Sequence, residues 1–427
     1  MSLYIKKNTM ISFLFIAVLS ILVYYCNSKI IKFFYVTLLF LVILNKAKFS
    51  FFSVLTFILL FTLFQEFMLE TFNIGTGMLI TGTEASNSFL ELYLCTNIFC
   101  AIEFLFIDGT NIIENEKKMY LTNIFMTDFW AISFTILSLI ITILIFPTFP
   151  TFKTTLVNRF NSGIIPFSGF AGLVLLLVAI TYDSAKKLKF IYIIDFFIVF
   201  WFIGHAERVE ALGLIVYLIL KYLNQNSLGL HSIFQVIKKH YKLGIVCILG
   251  VGFLIWIGIT RTVEHSQNIS LEYLLSRILI QSTASDVAYI FNCSVDLWKN
   301  GDLLNGYTYL SYLSELMPFG ANISTSEMVI KEYYFTVGGC PFFAEIIMNF
   351  GILGIIPIIT LFFSIHYFIV RKANEFKAVF WIPIVIEIFR TAWYGWTGWF
   401  TLSFWVTPIL YLIITRLKIA GKSYKYT

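Results

Sequence analysis

Apolar runs separated by short polar breaks extend along almost the whole chain. A helix needs about 20 mostly apolar residues to cross about 30 Å of hydrocarbon, and several of these runs approach or reach that length. The pattern predicts an all-α polytopic membrane protein with about twelve transmembrane helices, ten or eleven being the alternative. The predicted spans are 9–26, 30–45, 50–69, 88–108, 128–146, 167–181, 188–204, 208–223, 243–260, 342–368, 377–390 and 398–415.

The distribution of Lys and Arg gives an independent test of the span count. With the N-terminus in the cytoplasm, 20 of the 30 Lys and Arg residues fall on the cytoplasmic side, as the positive-inside rule prefers. The main exceptions are Lys29 and Lys32 in the first hairpin. Because one missing helix would invert every later loop, the charges support twelve spans with both termini in the cytoplasm.

One connection on the predicted external side is much longer than the others. Arg261 to Cys340 is an 80-residue loop, and loops of such length are often functional. Within it, NISLEYLLSRILIQ (268–281) has Ser270 as a helix N-cap and an apolar stripe on one helical face. The stripe consists of Leu271, Leu274, Leu275, Ile278 and Leu279. We therefore expect an amphipathic helix that lies on the membrane or docks on the bundle.

Composition also indicates lipid as the surroundings of the chain. Hydrophobic residues make up 59% and charged residues 13%, with a mean hydropathy of +0.85, which exceeds what a soluble domain can bury. The first apolar run follows Lys6 and Lys7 without a small-residue cleavage site, so we expect an uncleaved span. No repeat or linker divides residues 1–427, which we interpret as a single integral membrane domain.

The cysteines and acidic residues do not predict a metal site. No CxxC, Cys/His cluster or Asp-x-Asp pair lies on the predicted outer face, so we expect neither a metal nor another cofactor. Cys95, Cys100 and Cys247 lie in apolar runs, where we expect them to pack. Cys293 and Cys340 share the long loop, and a disulfide between them remains an open alternative.

Four arginines are predicted at the outer membrane surface, namely Arg208, Arg261, Arg277 and Arg390. Arg208 stands in GHAERVEALGLIVYLIL (204–220), directly before an apolar run. Interfacial anchoring explains any single one of them, because long basic side chains reach the headgroups from helix ends. A set made only of Arg, on the side where basic residues are scarce, favours anion binding, since guanidinium groups bind phosphate oxygens bidentately.

Two histidines accompany these arginines. His265 follows Arg261 by four residues and stands beside Glu264, which makes it a candidate base near neutral pH. His205 precedes Arg208 by three residues. A surface or core histidine is the simpler interpretation of each.

Several carboxylates lie within predicted spans, where an ionisable group is costly and marks a candidate site. Glu345 and Asn349 are spaced i, i+4 just inside the outer surface, an arrangement suited to hydrogen-bonding hydroxyl groups. Glu103, Asp195 and Glu387 lie in other spans. Pairing with a neighbouring helix, or protonation, is the alternative for all of them.

Three stretches and the architecture together resemble a known family. GHAERVEALGLIVYLIL resembles the family's stretch in which an Arg stands at the start of an apolar helix. GYTYLSYLSELMPF (306–319) resembles its aromatic stretch ending in Pro. PFFAEIIMNFGILGIIP (341–357) resembles an E…NFG…G helix after the large loop. With about a dozen spans, cytoplasmic termini and one large external loop, the chain resembles the Wzy-type O-antigen and polysaccharide repeat-unit polymerases of bacterial inner membranes. The three stretches cover less than a fifth of the chain.

The resemblance implies glycosyl transfer between oligosaccharide units carried on undecaprenyl pyrophosphate at the periplasmic face. By analogy it implies a glycosyltransferase C-type-like fold with loop 261–340 in the active site. Arg208 and Arg261 become the leading catalytic candidates, stabilising the pyrophosphate leaving group, and His265 the base. Further substrate-binding candidates are Arg277, Arg390, His205, Glu345 and Asn349. Implied partners are membrane lipids, a chain-length regulator and a flippase, whereas the pI of about 8.8 indicates no nucleic acid.

Two other classes of protein fit parts of the pattern. A lipid-linked oligosaccharide flippase or other transporter also has about twelve spans, but short loops and an internal repeat are typical of it. An O-antigen ligase uses the same donor and a similar loop, with a different acceptor. The sequence favours a polymerase over a transporter and barely separates it from a ligase.

Overall fold

The structure is a computed structural model that describes residues 7–47, 50–122, 124, 126–149, 164, 167–184, 188–205, 208–225, 279–315, 324–336, 339–395 and 402–422. It is 83% helical, and no strand occurs in these ranges. The predicted all-helical class is therefore confirmed for the part of the chain that is described. The span at 243–260 and most of the predicted amphipathic helix lie outside it.

The helices form two compact units. The first consists of residues 1–117, 279–372 and 391–396, and the second of residues 118–278, 373–390 and 397–427. In the first unit lie α1 (Lys7–Tyr24), α2 (Lys29–Ala47), α3 (Phe51–Phe72), α4 (Met78–Thr81), α5 (Phe89–Gly109), and most of α6 (Ile112–Leu121).

The second unit continues with α7 (Asp128–Ile145), α8 (Phe167–Ser184), α9 (Lys189–Gly204) and α10 (Arg208–Gln225). The chain then returns to the first unit with α11 (Ser282–Asn300), α12 (Tyr307–Glu315), α13 (Ser326–Tyr333), α14 (Phe342–Phe350) and α15 (Ile355–Val370). The last helices are α16 (Glu375–Ile386), α17 (Ile388–Tyr394) and α18 (Thr407–Lys422), and a short π-helix at Leu402–Val406 directly precedes α18. A boundary between the two units lies within α17.

Helices occur at every predicted span that lies within the described ranges. Six of them are long and apolar enough to cross a membrane: α1, α2, α3, α5, α7 and the helix Ile352–Val370. Shorter apolar helices occur at Phe170–Tyr182, Ala211–Gln225 and Leu402–Thr415. By length and composition, these apolar helices are compatible with a multi-pass membrane protein.

The predicted span at 342–368 is not one continuous helix. The helix α14 ends at Gly351, whose φ of +65° is a left-handed conformation that favours glycine. A 3₁₀ turn at Ile352–Gly354 then leads into α15. A Cβ at Gly351 would lie 2.6 Å from Nε1 of Trp298, so the indole of α11 packs directly against this break. The break separates α14 from the membrane-length helix that follows it.

Helix α11 lies in the predicted long external loop and is largely buried. Its polar side chains bind the connection between α3 and α5. Asp286 accepts a hydrogen bond from the Met78 amide (2.7 Å), and Asn292 accepts one from the Ser88 amide (3.1 Å). Asp296 accepts one from the Ser86 amide (3.0 Å). These side chains satisfy main-chain donors of the connection, and so they fix it against α11.

A second set of contacts joins α11 to α3. Ser285 donates to Oε1 of Gln65 (3.2 Å), and Nδ2 of Asn292 donates to Oε1 of Glu66 (2.6 Å). All four side chains are buried. Part of the external loop predicted from the sequence is thus built into the core of the first unit.

The pH dependence of stability is expected to contain a contribution from Asp286. Burial raises the pKa of this carboxyl from its ordinary value of 3.8 to about 6, against the lowering effect of the Met78 hydrogen bond. The native carboxyl therefore holds its proton more tightly than the unfolded one. Its contribution to stability is fully present below pH 3.8 and is lost as the pH rises to about 6.

As the pH rises from 4.5 to 7.5, the wild type loses this contribution, whereas Asp286→Asn cannot ionise at this position. We therefore expect the stability of the variant relative to the wild type to increase by on the order of 1 kcal/mol between these two pH values. The asparagine retains an oxygen that accepts from Met78. Thermal unfolding of both purified proteins in detergent at the two pH values measures the difference. Asp302→Asn, at an exposed position, is the matched control. If the stability of Asp286→Asn and that of Asp302→Asn change equally with pH, the pH dependence does not come from Asp286.

Candidate functional site

Two short helices of the first unit build the candidate site. Asn305 and Gly306 both have positive φ and turn the chain into α12. The amide of Leu304, just before this turn, donates to the carbonyl of Met348 on α14 (3.0 Å). Pro341 precedes the first turn of α14, where its missing N–H is not needed. The turn and this main-chain bond hold the start of α12 against the end of α14.

On each helix, two polar residues are spaced i, i+4 and therefore share a face. They are Thr308 and Tyr312 on α12, and Glu345 and Asn349 on α14. All four side chains are buried, with exposed fractions of 2% or less. We call these four residues the Glu345 network.

Glu345 is the centre of this network. Thr308 donates to its Oε1 (3.0 Å), and the Tyr312 hydroxyl lies 2.9 Å from Oε1 and 2.8 Å from Oε2. Both carboxylate oxygens therefore accept hydroxyl hydrogen bonds, which offset part of the cost of burying the group. Asn349 Nδ2 donates to Oγ1 of Thr308 (2.7 Å) and to the carbonyl of Glu345 (2.8 Å). Each side chain of the network thus orients another.

Two buried polar atoms at this network have no hydrogen-bond partner within the described residues. They are Oδ1 of Asn349 and the hydroxyl of Tyr309. The Tyr309 ring stacks on Phe350 with 5.8 Å between ring centroids, and it lies 6.1 Å from the Tyr312 ring. Burial, with the nearby Glu345 carboxylate and the Cys340 thiol, raises the pKa of Tyr309 above its ordinary value, so this hydroxyl stays protonated. It is available both to donate and to accept.

The structure brings together part of the predicted site. Glu345 and Asn349 lie side by side, as their spacing predicted. Thr308, Tyr312 and Tyr309 were not assigned from the sequence, although all three lie in the stretch 306–319. The signal that was present is the second i, i+4 pair, Thr308 and Tyr312, in that stretch.

His205 is buried in the second unit, directly after α9. Its Nδ1 lies 2.9 Å from the Trp201 carbonyl and its Nε2 3.0 Å from the Thr148 carbonyl. Its ring stacks on Phe146 with 4.4 Å between centroids. These contacts anchor the end of α9 to the segment after α7, so a structural role accounts for this histidine.

The remaining predicted site residues are described in part or not at all. Arg208 is the first residue of α10 in the second unit, and Arg390 lies half-buried on α17. Arg261, His265 and Arg277 lie outside the described residues. Their roles remain predictions.

The carboxylates predicted within spans have different surroundings. Glu103 on α5 is buried and accepts a hydrogen bond from Thr56 on α3. It therefore pairs with a neighbouring helix, which is the alternative to a functional role given above. Glu387 is also buried. Both oxygens of Asp195 on α9 are buried, and within the described ranges they accept no hydrogen bond. Cys293 and Cys340 are free buried thiols, and Cys95 and Cys100 are buried as expected.

No protein-family model, no curated protein and no solved structure matches this chain.

Proposed function

We propose that the chain is a multi-pass glycosyltransferase of the bacterial inner membrane. It would polymerise undecaprenyl-pyrophosphate-linked oligosaccharide repeat units at the periplasmic face. The proposal includes twelve spans, cytoplasmic termini and a C-type-like glycosyltransferase fold. A flippase and a chain-length regulator are the proposed protein partners.

One observation carries this proposal. Two of the three stretches that carry the resemblance, 306–319 and 341–357, supply all four members of the Glu345 network. These stretches are separated in sequence by more than twenty residues, yet their polar side chains bind one another. A buried hydroxyl–carboxylate–amide cluster suits recognition of hydroxyl-rich substrates and is costly as a purely structural element.

The proposed reaction joins two lipid-linked units. A hydroxyl oxygen of the acceptor sugar attacks the anomeric carbon of the donor chain. The bond from that carbon to the pyrophosphate oxygen breaks, and undecaprenyl pyrophosphate leaves with the electron pair. Arg208 and Arg261, with Arg277 and Arg390 as further candidates, stabilise the leaving dianion, and His265 takes the hydroxyl proton. The leaving group is already a good one, so no metal is required by this chemistry.

Deletion of the gene in its host tests the proposal. We expect the surface polysaccharide, separated on a gel, to show cores that carry one repeat unit and no longer chains. Complementation with the wild-type gene is the control. Bare cores would identify a ligase instead, and units retained on the cytoplasmic side would identify a flippase. Unchanged chains would contradict all three.

A further inference from the structure

The two unpartnered atoms of the site differ from the rest of the Glu345 network. Glu345, Thr308 and Tyr312 bind one another, and both hydrogens of Asn349 Nδ2 have acceptors. Asn349 Oδ1 and the Tyr309 hydroxyl are buried without a partner in the described part of the chain. A buried polar atom without a hydrogen bond costs free energy, and at position 309 phenylalanine would avoid that cost. The tyrosine hydroxyl is better explained by a ligand that binds to it.

The chemistry of these atoms defines the ligand. Asn349 Oδ1 only accepts, whereas the Tyr309 hydroxyl donates and accepts, so together they match a hydroxyl group that also does both. The Glu345 carboxyl group lies close enough to act on the Tyr309 hydroxyl, and none of the four residues of the network is basic. A phosphate would find no positive partner among these side chains. The surrounding aromatic rings of Tyr309, Tyr312 and Phe350 suit a neutral sugar.

We propose that Tyr309 and Asn349 form a subsite for a hydroxyl group of a neutral sugar residue in the oligosaccharide. This inference rests on the proposed function, and it assigns the subsite to the sugar and not to the pyrophosphate. Glu345 does not contact the sugar. It is a positioning residue that holds Thr308, and through Thr308 it orients the amide of Asn349.

A Tyr309→Phe variant separates this role from a structural one. Removing an unpartnered buried hydroxyl leaves the fold equally stable or stabilises it. The loss of one hydrogen bond to the sugar weakens binding about tenfold. The matched control is Tyr307→Phe on the same helix, where the tyrosine is 44% exposed. We expect the control to bind like the wild type.

The measurement uses the purified full-length protein in detergent. The probe is the repeat-unit oligosaccharide released by mild acid from the lipid-linked material of the host, and calorimetry gives its dissociation constant. Thermal unfolding without the probe shows whether each variant folds. We expect binding by the wild type and by Tyr307→Phe, weaker binding by Tyr309→Phe, and an unfolding temperature of Tyr309→Phe at or above that of the wild type.

Three results would overturn the subsite. They are equal binding by both tyrosine variants, no binding by the wild type, and a clear loss of stability in Tyr309→Phe. In the second case water satisfies the two atoms. Each of these results leaves the gene-deletion test unaffected. Conversely, normal polysaccharide after deletion would refute the proposed function, while the binding comparison would still show whether these residues hold a sugar.

Discussion

Replacing Glu345 by alanine is expected to destabilise the first unit by about 3 kcal/mol or more and to abolish polysaccharide synthesis. The change leaves the hydroxyls of Thr308 and Tyr312 buried without their acceptor, and it opens a cavity between α12 and α14. Thermal unfolding of the purified variant measures the first effect. A gel of the host polysaccharide measures the second.

A matched apolar variant distinguishes a functional network from a structural one. In the triple variant Glu345→Leu, Thr308→Val, Tyr312→Phe, the carboxylate is replaced together with the two α12 hydroxyl groups that donate to it, while Ser326 and Asn349 keep their side chains. Replacing buried polar groups together with their hydrogen-bonding partners is often much less destabilising than removing one of them. We expect this variant to regain most of the lost stability without regaining polymer synthesis. Polymer of normal length from it would mean that the network only supports the fold.

Glu327→Ala is the control for loss of a carboxylate. Glu327 lies on α13 in the same unit and forms an exposed i, i+4 ion pair with Lys331 at 2.5 Å. Such surface pairs contribute a few tenths of a kcal/mol. We expect normal stability and normal polymer from this variant. A defect as large as that of Glu345→Ala would show that the assay responds to any change in this unit.

The positions of the long apolar helices were predictable because a helix that crosses lipid must be apolar over most of its length. The break at Gly351 was not, since apolar residues flank the glycine directly on both sides and the apolar run continues through it. At this break Trp298 of α11 packs against the glycine. A contact between residues more than 50 positions apart cannot be recognised from a local hydropathy pattern.

The buried position of α11 was missed for a related reason. Ser285 and Asn292 lie on its buried face and interrupt the apolar pattern by which core helices are recognised. Their partners are Gln65, Glu66 and the amide of Ser88, more than 200 residues away. Only the folded chain shows that these polar groups are satisfied and that burying them is tolerated.

For the candidate site, the sequence predicted one half and the fold supplied the other. Glu345 and Asn349 were recognisable because two polar residues spaced i, i+4 are unusual in an apolar run. Thr308 and Tyr312 are also spaced i, i+4, but they lie among many other aromatic and hydroxyl residues of the loop, so this spacing is weak evidence there. Their importance follows from the hydrogen bonds to Glu345, which join residues 33 and 37 positions apart.

Arg208→Lys is expected to reduce polymer synthesis on the order of 10²-fold while leaving expression and membrane insertion near the wild-type level. Arg208 is the first residue of α10, where the main-chain N–H groups lack helical acceptors. This end of a helix attracts anions and gains nothing from a cation, so helix stability does not explain an arginine there. A phosphate bound at this end would be contacted by the main-chain N–H groups.

The lysine substitution separates a pyrophosphate-binding arginine from a membrane anchor. An anchor needs only a positive charge on a long side chain, and lysine retains both. Bidentate binding of phosphate oxygens needs the planar guanidinium, which lysine lacks. Arg208→Ala should be at least as severe, and Arg371→Lys, at an exposed position on the predicted cytoplasmic side, is the matched control. Full-length polysaccharide from Arg208→Lys would assign this arginine to the anchors, and pyrophosphate binding would then have to depend on Arg261 and Arg277.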